Sequence, residues 1–343
     1  MPKISIIMPV YNTGNVLKTT INKVISQTFR DWELIIVDDG STDVSSKICD
    51  DFASLDFRIK VYHKTNGGIC DARNFGLFKS TGDYITFCDH DDEYLPNLLD
   101  VVINSAEKFQ ADAVKFRNYQ IIDGQQPTCI HKLSNEEIFY GDIRNAIFPM
   151  LRWDLLGTIW TFIYKRDILQ RFNLLFDVNF KHGGEDLDFN LRVFNFLNNI
   201  VVLPNILYIH YIRSSLSTSS ILHNDMLYYM FPKIFDDLNM LVLHLNINLK
   251  KNKNEYLYFF SNESLTYVAH YLLLKNRDKN FIKERLSVFR SKNLLINGTT
   301  VKSSLFFFVL MPKQAYIHIL IKFKLYSIVY YSGLAKLYLN RKL

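Results

Sequence analysis

The sequence predicts an α/β protein built on a mainly parallel sheet. Over the first 120 residues, four apolar segments alternate with segments in which apolar residues recur at helical spacing. The strand segments are 4–8, 34–37, 59–62 and 84–88, and the helical segments are 16–25, 48–55 and 70–78. Strands that are apolar throughout are typical of parallel sheets covered by helices on both faces. Because ligands of such sheets bind beyond the carboxyl ends of the strands, the loops after the strands are the candidate site.

The rest of the chain has a less regular pattern. Apolar segments at 113–116, 158–164, 201–203 and 207–212 predict further strands, and 187–197 predicts a mostly apolar helix. From about residue 221 the pattern is helical, with predicted helices over 226–245, 256–274 and 281–289. We therefore expect a helical region after the sheet.

Acids, glycines and one arginine occupy the loops that should meet at the edge of the sheet. The four loop segments are 9–12, 38–43, 66–74 and 89–92. Asp89 and Asp91 can both reach one hard divalent cation such as Mg²⁺ or Mn²⁺, which prefers oxygen ligands and keeps positions for phosphates. A solvated acidic turn is the alternative, but the acids after the second strand favour the metal site.

Other residues of these loops each allow two interpretations. Asp39 is either a turn residue or an acceptor for the base or ribose of a nucleotide. Arg73 is either a surface residue of a helix or a diphosphate contact, and Tyr11 either packs in the core or stacks on a base. The later pair Glu185-Asp186 opens a predicted helix, where the dipole favours acids; the catalytic interpretation is a base that removes a proton from a hydroxyl.

Six motifs in this order resemble the family 2 glycosyltransferases, which are bacterial-type, inverting enzymes with the GT-A fold. The motifs are Ile6–Asn12, Val37–Asp43, Ala72–Gly76, Thr81–Ile85, Asp89–Asp92 and Glu185-Asp186, and the resemblance covers about residues 1–215. It implies a GT-A type, Rossmann-like catalytic domain over 1–220, with a nucleotide-binding half at about 1–120 and an acceptor half at about 121–220. A helical, basic and aromatic region over 221–343 follows it.

The resemblance also implies roles for individual residues. Asp186 would be the catalytic base, with Glu185 supporting the acceptor site. Asp91 would bind the metal together with Asp89, which would also touch the ribose. The other nucleotide-sugar contacts would come from Pro9, Tyr11, Asp39, Arg73, His90 and Arg213. His210 is either an alternative to Arg213 at the leaving diphosphate or a hydrogen-bonded strand residue. His90 stands where the family usually has a small residue, so it would narrow the sugar pocket or face solvent.

The implied reaction is transfer of a hexose or N-acetylhexosamine from a UDP-sugar to a hydroxyl of a saccharide acceptor, with Mn²⁺ or Mg²⁺ as cofactor. A lipid-linked acceptor in bacterial surface polysaccharide synthesis, such as capsule or lipooligosaccharide, fits this interpretation. A sugar nucleotidyltransferase would need a Gly-rich phosphate loop where Pro9–Asn12 stands. A non-catalytic nucleotide-sugar-binding subunit is disfavoured by the acids at Asp89, Asp91 and Asp186.

Basic and aromatic residues are concentrated at the C-terminal end. The formal net charge is +6 at pH 7, yet Glu284 is the last acid and ten Lys or Arg follow it, which is unlike a uniformly basic nucleic-acid binder. In the segment 303–343, a polar stripe of Gln314, His318 and Lys322 lies on a predicted apolar helix. The pattern is compatible with a helix packed on the catalytic domain, but it favours an interfacial helix on an anionic membrane.

Length and composition predict a cytoplasmic globular protein. The 343 residues suit two regions, and 48% hydrophobic with 22% charged residues argues against disorder. The cysteines at 49, 70, 88 and 129 lack metal-site spacing, which favours reduced thiols. The N-terminus does not resemble a signal peptide, and no stretch reaches about 18 unbroken apolar residues. We therefore expect a protein held peripherally on the inner face of the cytoplasmic membrane.

Overall fold

The computed structural model describes residues 1–129, 139–152, 155–181, 183–213 and 229–248. Contacts divide the chain into two compact units. The first unit comprises Met1–Ala146, Leu155–Lys181 and Glu185–Thr218, and the second holds the remaining residues. Every described strand and every predicted site residue lies in the first unit.

The first half of the sheet confirms the predicted alternation of strands and helices. Strands β1 (Ile4–Val10), β2 (Trp32–Asp38), β3 (Ile59–His63) and β4 (Tyr84–Phe87) alternate with helices α1 (Val16–Ile25), α2 (Ser45–Leu55) and α3 (Ile69–Lys79). The four strands are parallel and lie in the order β3-β2-β1-β4. All residues of β1 and β2 are buried, as expected for a sheet covered on both faces.

The second half of the sheet is mixed. Its elements are β5 (Glu93–Tyr94), α4 (Leu98–Phe109), β6 (Ala113–Ile122), β7 (Phe139–Asp142), α5 (Ile143–Arg152), β8 (Phe162–Lys165), α6 (Arg166–Arg171), α7 (Glu185–Val193), a 3₁₀ turn (Phe194–Phe196) and β9 (Asn199–Ile212). Strand β8 runs antiparallel between β4 and β6, and β9 lies parallel to β6. Strands β5 and β7 pair antiparallel with β9.

Several predicted boundaries were wrong in this half. The strands predicted at 201–203 and 207–212 are one strand, β9, which runs through Pro204. Proline cannot donate to the ladder, and the pairing of β9 with β6 shifts register at this point, which accommodates it. Of the strand predicted at 158–164, only the end belongs to β8, and the helix predicted at 187–197 begins at Glu185 and gives way to the 3₁₀ turn.

Helix α8 (Phe231–His244) falls within the helix predicted at 226–245 and belongs to the second unit. The helices predicted at 256–274 and 281–289, like the basic segment 303–343, lie outside the described residues. Within the described ranges, no helix is long and apolar enough to cross a membrane. Cys49, Cys70 and Cys88 are buried, and the expectation of reduced cysteines stays a prediction.

A glycine allows the turn before β4 to pass close to β1. A Cβ atom at Gly82 would lie 2.6 Å from the backbone nitrogen of Ser5 and 2.7 Å from the carbonyl carbon of Ile4. Real Cβ atoms essentially never come this close to backbone, so any side chain here would displace the turn. The Thr81–Ile85 motif therefore has a structural reason: it seats β4 beside β1 and so fixes the loop that follows β4.

Candidate active site

The loops after the parallel strands meet at one edge of the sheet. Val10, the last residue of β1, is opposite Asp38 at the end of β2, and Asp38 is opposite His63 at the end of β3. On the other side of β1, Ile7 pairs with Phe87 at the end of β4. The strand registers therefore place the loop that begins at Asp89 next to the loop that follows β1.

A buried arginine gathers three carboxylates at this edge. Arg73 lies on α3 and its side chain is only 2% exposed. Its Nη1 donates to Glu185 Oε1 and to Asp186 Oδ1, both at 3.0 Å, and its Nη2 donates to Asp89 Oδ1 at 3.3 Å. Among the residues that the structure describes, its Nε has no hydrogen-bond partner. The sequence predicted Arg73 close to a diphosphate; the structure shows it holding the predicted base, its neighbour and the first acid of Asp89–Asp92, and its contact with a nucleotide stays a prediction.

The electrostatics of Asp186 suit proton transfer near neutral pH. Burial raises the pKa of Asp186 to about 7; the guanidinium of Arg73 opposes this rise, and the charges of Glu185 and Asp89 add to it. Its second oxygen, Oδ2, accepts a hydrogen bond from the backbone nitrogen of Ile159 at 3.2 Å. A carboxylate oriented from two sides, with a pKa near the working pH, can accept a proton from a hydroxyl.

The predicted metal ligand Asp91 is paired with the second predicted diphosphate contact. Arg213, directly after β9, donates from Nη1 to Asp91 Oδ2 at 2.6 Å and from Nη2 to the backbone oxygen of Asp91 at 2.9 Å. The two side chains are 26% and 34% exposed, so the pair faces solvent. The structure thus pairs both Asp89 and Asp91 with an arginine, which is buried at Asp89 and partly exposed at Asp91.

His90 links the loop after β4 to the end of β1. Its Nδ1 is 3.0 Å from the carbonyl oxygen of Pro9, which can only accept, so Nδ1 carries the proton and donates. The imidazole is therefore turned towards the end of β1. Tyr11, in the loop that follows β1, is 48% exposed and does not pack in the core, which removes one of its two interpretations and leaves the stacking role as a prediction.

Asp39 is engaged by the loop between β3 and α3. Its Oδ1 accepts from Lys64 Nζ at 2.5 Å and from the backbone nitrogen of Gly67 at 2.9 Å, and its Oδ2 accepts from the backbone nitrogen of Gly68 at 2.8 Å. Gly68 has φ +88°, a conformation that favours glycine, and it directly precedes α3. Asp39 therefore holds the turn that starts the helix of Arg73, and its contact with a base or ribose stays a prediction. Sequence reasoning missed Lys64, which carried no motif.

A buried acid, Asp92, attaches the Asp89–Asp92 loop to strand β9. Its Oδ2 accepts from the Tyr208 hydroxyl at 2.9 Å and lies 3.0 Å from His210 Nδ1, and its Oδ1 accepts from the backbone nitrogen of Tyr211 at 2.9 Å. Trp160 stacks on the rings of Tyr208 and His210, with centroids 4.6 Å and 4.9 Å away. His210 is thus the hydrogen-bonded strand residue that was one of its two interpretations. Nothing in the sequence distinguished Asp92 from its neighbours, and Trp160 carried no signal.

The donor set suits a hard cation that is shared with a phosphate ligand. Carboxylate oxygens of Asp89 and Asp91 are suitable ligands for Mg²⁺ or Mn²⁺. Within the part of the chain that the structure describes, no three metal-ligating side chains come together. Because Mg²⁺ is often held by one or two carboxylates with water and substrate phosphates, a nucleoside diphosphate would complete the ligand shell.

Curated proteins similar to this chain are glycosyltransferases. The uncharacterized glycosyltransferase EpsJ of Bacillus subtilis (strain 168) is 32% identical over 211 residues, which are 61% of this chain and 61% of EpsJ. Glycosyltransferase GlyA of Streptococcus pneumoniae serotype 4 is 31% identical over 219 residues, which are 62% of this chain and 31% of GlyA. Glycosyltransferase GlyG of the same organism is 37% identical over 145 residues, 39% of this chain and 48% of GlyG. The chain thus spans less than two thirds of the length of these relatives.

Solved structures show the same fold. S. aureus TarS 1-349 in complex with UDP-GlcNAc superposes with a TM-score of 0.71 at 20% identity, over 96% of this chain and 91% of TarS 1-349. TarS 1-349 without that ligand gives a TM-score of 0.67. The predicted fold class, a GT-A type sheet flanked by helices, is confirmed by this likeness together with the family match. The model of the glycosyl transferase family 2 domain matches residues 5–172, which include Arg73 and the Asp89–Asp92 loop. The chain therefore contains a glycosyl transferase family 2 domain.

Proposed function

We propose that this chain transfers a sugar from a UDP-sugar to a hydroxyl of a saccharide acceptor, with inversion at the anomeric carbon. The observation that carries the proposal is the contact of Arg73 with both Asp186 and Asp89. One guanidinium joins the predicted base to the loop of the predicted donor and metal site, as a reaction between a donor and an acceptor requires. A nucleotide-binding subunit without activity would have no need of a base held at this place.

Different residues of the chain would have different roles in the reaction. Asp186 removes the proton from the acceptor hydroxyl as the hydroxyl oxygen attacks the anomeric carbon and UDP leaves. A single displacement of this kind inverts the stereochemistry at that carbon. Arg73 and the backbone nitrogen of Ile159 keep the Asp186 carboxylate oriented for that attack. Asp91, with Asp89, would hold Mn²⁺ or Mg²⁺, which when bound offsets charge on the departing diphosphate. Alignment of the two substrates would supply much of the rate.

The structural likeness indicates which donor to test first. S. aureus TarS 1-349 binds UDP-GlcNAc and UDP in its solved structures. Since the fold is shared, UDP-GlcNAc heads a panel that also includes UDP-glucose, UDP-galactose and UDP-GalNAc. Thermal unfolding is followed with each compound, with and without Mn²⁺. A ligand that binds the native state raises its stability, by about 2.7 kcal/mol at a hundredfold excess over Kd. The proposal requires a UDP-dependent rise; no rise with any UDP compound would contradict it.

Asp91→Asn should remove the dependence on metal. The amide keeps the shape of the side chain but loses the charge that attracts a hard cation, so we expect the Mn²⁺-dependent part of the UDP-induced rise in Tm to disappear and UDP release from the donor to fall strongly. Asp167→Asn, which removes an exposed acid paired with Arg171 on α6, is the matched control and should behave like the wild type. Unchanged turnover of Asp91→Asn would show that the metal is held elsewhere or is not used.

We further propose that the acceptor is lipid-linked and that the basic segment 303–343, outside the described residues, holds the protein at the inner face of the cytoplasmic membrane. The support is the composition of that segment, in which several Lys accompany many aromatic residues without any acid. Proximity to the membrane would bring the active site to an acceptor that cannot leave the bilayer.

Neutralising three of these lysines should weaken binding to anionic vesicles. Each Lys near such a surface contributes about 1 kcal/mol, so Lys313, Lys322 and Lys324 together would account for a large part of the attraction. The full-length triple Gln variant is compared with the wild type by co-sedimentation with phosphatidylserine-containing vesicles. A triple variant at the exposed Lys18, Lys47 and Lys108 has the same change in net charge and should bind like the wild type. Equal loss in both variants would mean that net charge, and not the tail, is responsible.

A further inference from the structure

Asp89 and Asp91 are neutralised in different ways. Asp89 shares Arg73 with Glu185 and Asp186, and that guanidinium is buried. Asp91 is paired with Arg213, whose two terminal nitrogens donate to the carboxylate and to the backbone oxygen of Asp91. Removing a buried arginine from its acids is costly, whereas a partly exposed ion pair contributes little to stability and opens readily. Arg213 is therefore the arginine that can leave its acid.

Arg213 also occupies a position on Asp91 at which a divalent cation would bind. Its Nη1 lies 2.6 Å from Asp91 Oδ2, which leaves no room for a metal ion on that oxygen along the same direction. A divalent cation at Asp91 would in addition repel the guanidinium. For the two cations to exchange, Arg213 needs another anion to which it can turn. A diphosphate is such an anion, because a guanidinium binds phosphate oxygens in the same bidentate manner as carboxylates.

We infer that Arg213 and a divalent cation compete for Asp91, and that the diphosphate of the donor relieves the competition by drawing Arg213 away. This inference rests on the proposed function for its nucleotide part only. Without nucleotide, Arg213 keeps Asp91 neutralised and the metal binds weakly. With nucleotide, Asp91 is released to the metal while Arg213 neutralises the diphosphate. Metal and nucleotide binding are thereby coupled, and the coupling is reciprocal: each ligand raises the affinity for the other.

The competition is tested by titrating Mn²⁺ into the protein alone. Free Mn²⁺ is measured by its EPR signal for the wild type, Arg213→Gln and Arg213→Lys, without nucleotide. We expect Arg213→Gln to bind Mn²⁺ roughly fivefold or more tightly than the wild type, at the low end of couplings between linked sites. Arg213→Lys keeps the charge but cannot donate to the carboxylate and the backbone oxygen of Asp91 in the same way. Its Mn²⁺ affinity should therefore lie between those of the wild type and Arg213→Gln. Arg171→Gln, which frees the exposed Asp167, is the matched control and should leave the Mn²⁺ affinity unchanged.

The nucleotide part is tested by repeating the titration with saturating UDP. UDP should raise the Mn²⁺ affinity of the wild type, and it should raise that of Arg213→Gln by a smaller factor, because the competitor is already gone. An Mn²⁺ affinity of Arg213→Gln equal to or below that of the wild type, in a variant whose circular dichroism and Tm show a folded protein, would overturn the inference. So would a wild type and Arg213→Gln that both fail to bind Mn²⁺. If UDP itself does not bind, the proposed function fails, while the titrations without nucleotide still decide whether the two cations compete.

Discussion

Replacing Asp186 by Asn should lower the rate of sugar transfer by about 10²- to 10⁴-fold, the contribution of a well-placed general base. The amide keeps the size of the side chain and can still accept from the backbone nitrogen of Ile159, but it cannot take a proton from the acceptor. UDP release is measured with the donor that the thermal-shift panel selects. Binding of the donor should be retained, so the UDP-dependent rise in Tm should match that of the wild type.

The neighbouring acid supplies the control. Glu185→Gln removes a carboxylate that contacts the same nitrogen of Arg73, at the same 3.0 Å distance, so it disturbs the cluster in a similar way. If Asp186 is the base, Glu185→Gln should lose less activity than Asp186→Asn. The assignment would have to be reversed if the larger loss were found at Glu185, and it would be wrong if Asp186→Asn kept the wild-type rate.

The pH dependence follows from the raised pKa of Asp186. A base acts in its ionised form, so kcat/KM should rise with pH through a transition near pH 7, and this transition should be absent from the residual activity of Asp186→Asn. The stability of the wild type should change in the opposite sense. Because the folded protein holds this proton up to about pH 7, and the unfolded chain only up to the ordinary range near 3.8, the stabilisation from this group is lost as pH rises between those values. The Tm of Asp186→Asn relative to that of the wild type should therefore increase between pH 5 and pH 8.

The sequence was sufficient to predict which loops meet at one edge of the sheet. The apolar strands of the first half are recognised by composition alone, and the rule that ligands bind beyond parallel strand ends then selects the loops at Asp39 and Asp89. Asp186 was identified as the candidate base only through the resemblance to a family. The local pattern alone would have explained this acid by its favourable interaction with the dipole of a helix. The mixed second half was harder, since β9 continues through Pro204 and an isolated proline usually indicates the end of a strand.

The pairing of charges at the site could not be predicted from the sequence. Both Arg73 and Arg213 were assigned to a diphosphate, which stays a prediction, and the structure shows that both contact carboxylates. Arg73 and Asp186 are 113 residues apart in the chain, so which acid reaches which arginine depends on how α3 and α7 pack at the edge of the sheet. The same is true of Asp92, whose partners on β9 lie more than a hundred residues away. Local patterns identify the charged groups, and only the fold determines which of them meet.

Replacing Arg73 by Met should destabilise the protein by about 3–5 kcal/mol, the usual result of leaving buried charges without their partner. Met fills most of the volume of the arginine stem, so the loss reflects charge more than packing. Three carboxylates would then share a buried space without any cation from Arg73. Chemical denaturation of the wild type and Arg73→Met measures the effect. Arg171→Met removes an arginine of an exposed pair and should change stability by less than about 0.5 kcal/mol.

If the lost stability of Arg73→Met is due to uncompensated charge, two further results are expected for this variant. Arg73 opposes the rise in the pKa of Asp186, so without it the folded variant holds the Asp186 proton to a higher pH, and its stability deficit relative to the wild type should shrink at pH 5 and grow at pH 8. Adding Asp186→Asn removes one of the uncompensated charges, so the double variant should be more stable at pH 8 than Arg73→Met alone. A deficit that is independent of pH and is not relieved by Asp186→Asn would mean that Arg73 supports the fold by packing against Phe176, whose ring centroid lies 5.4 Å from the guanidinium carbon, and not by neutralising the acids.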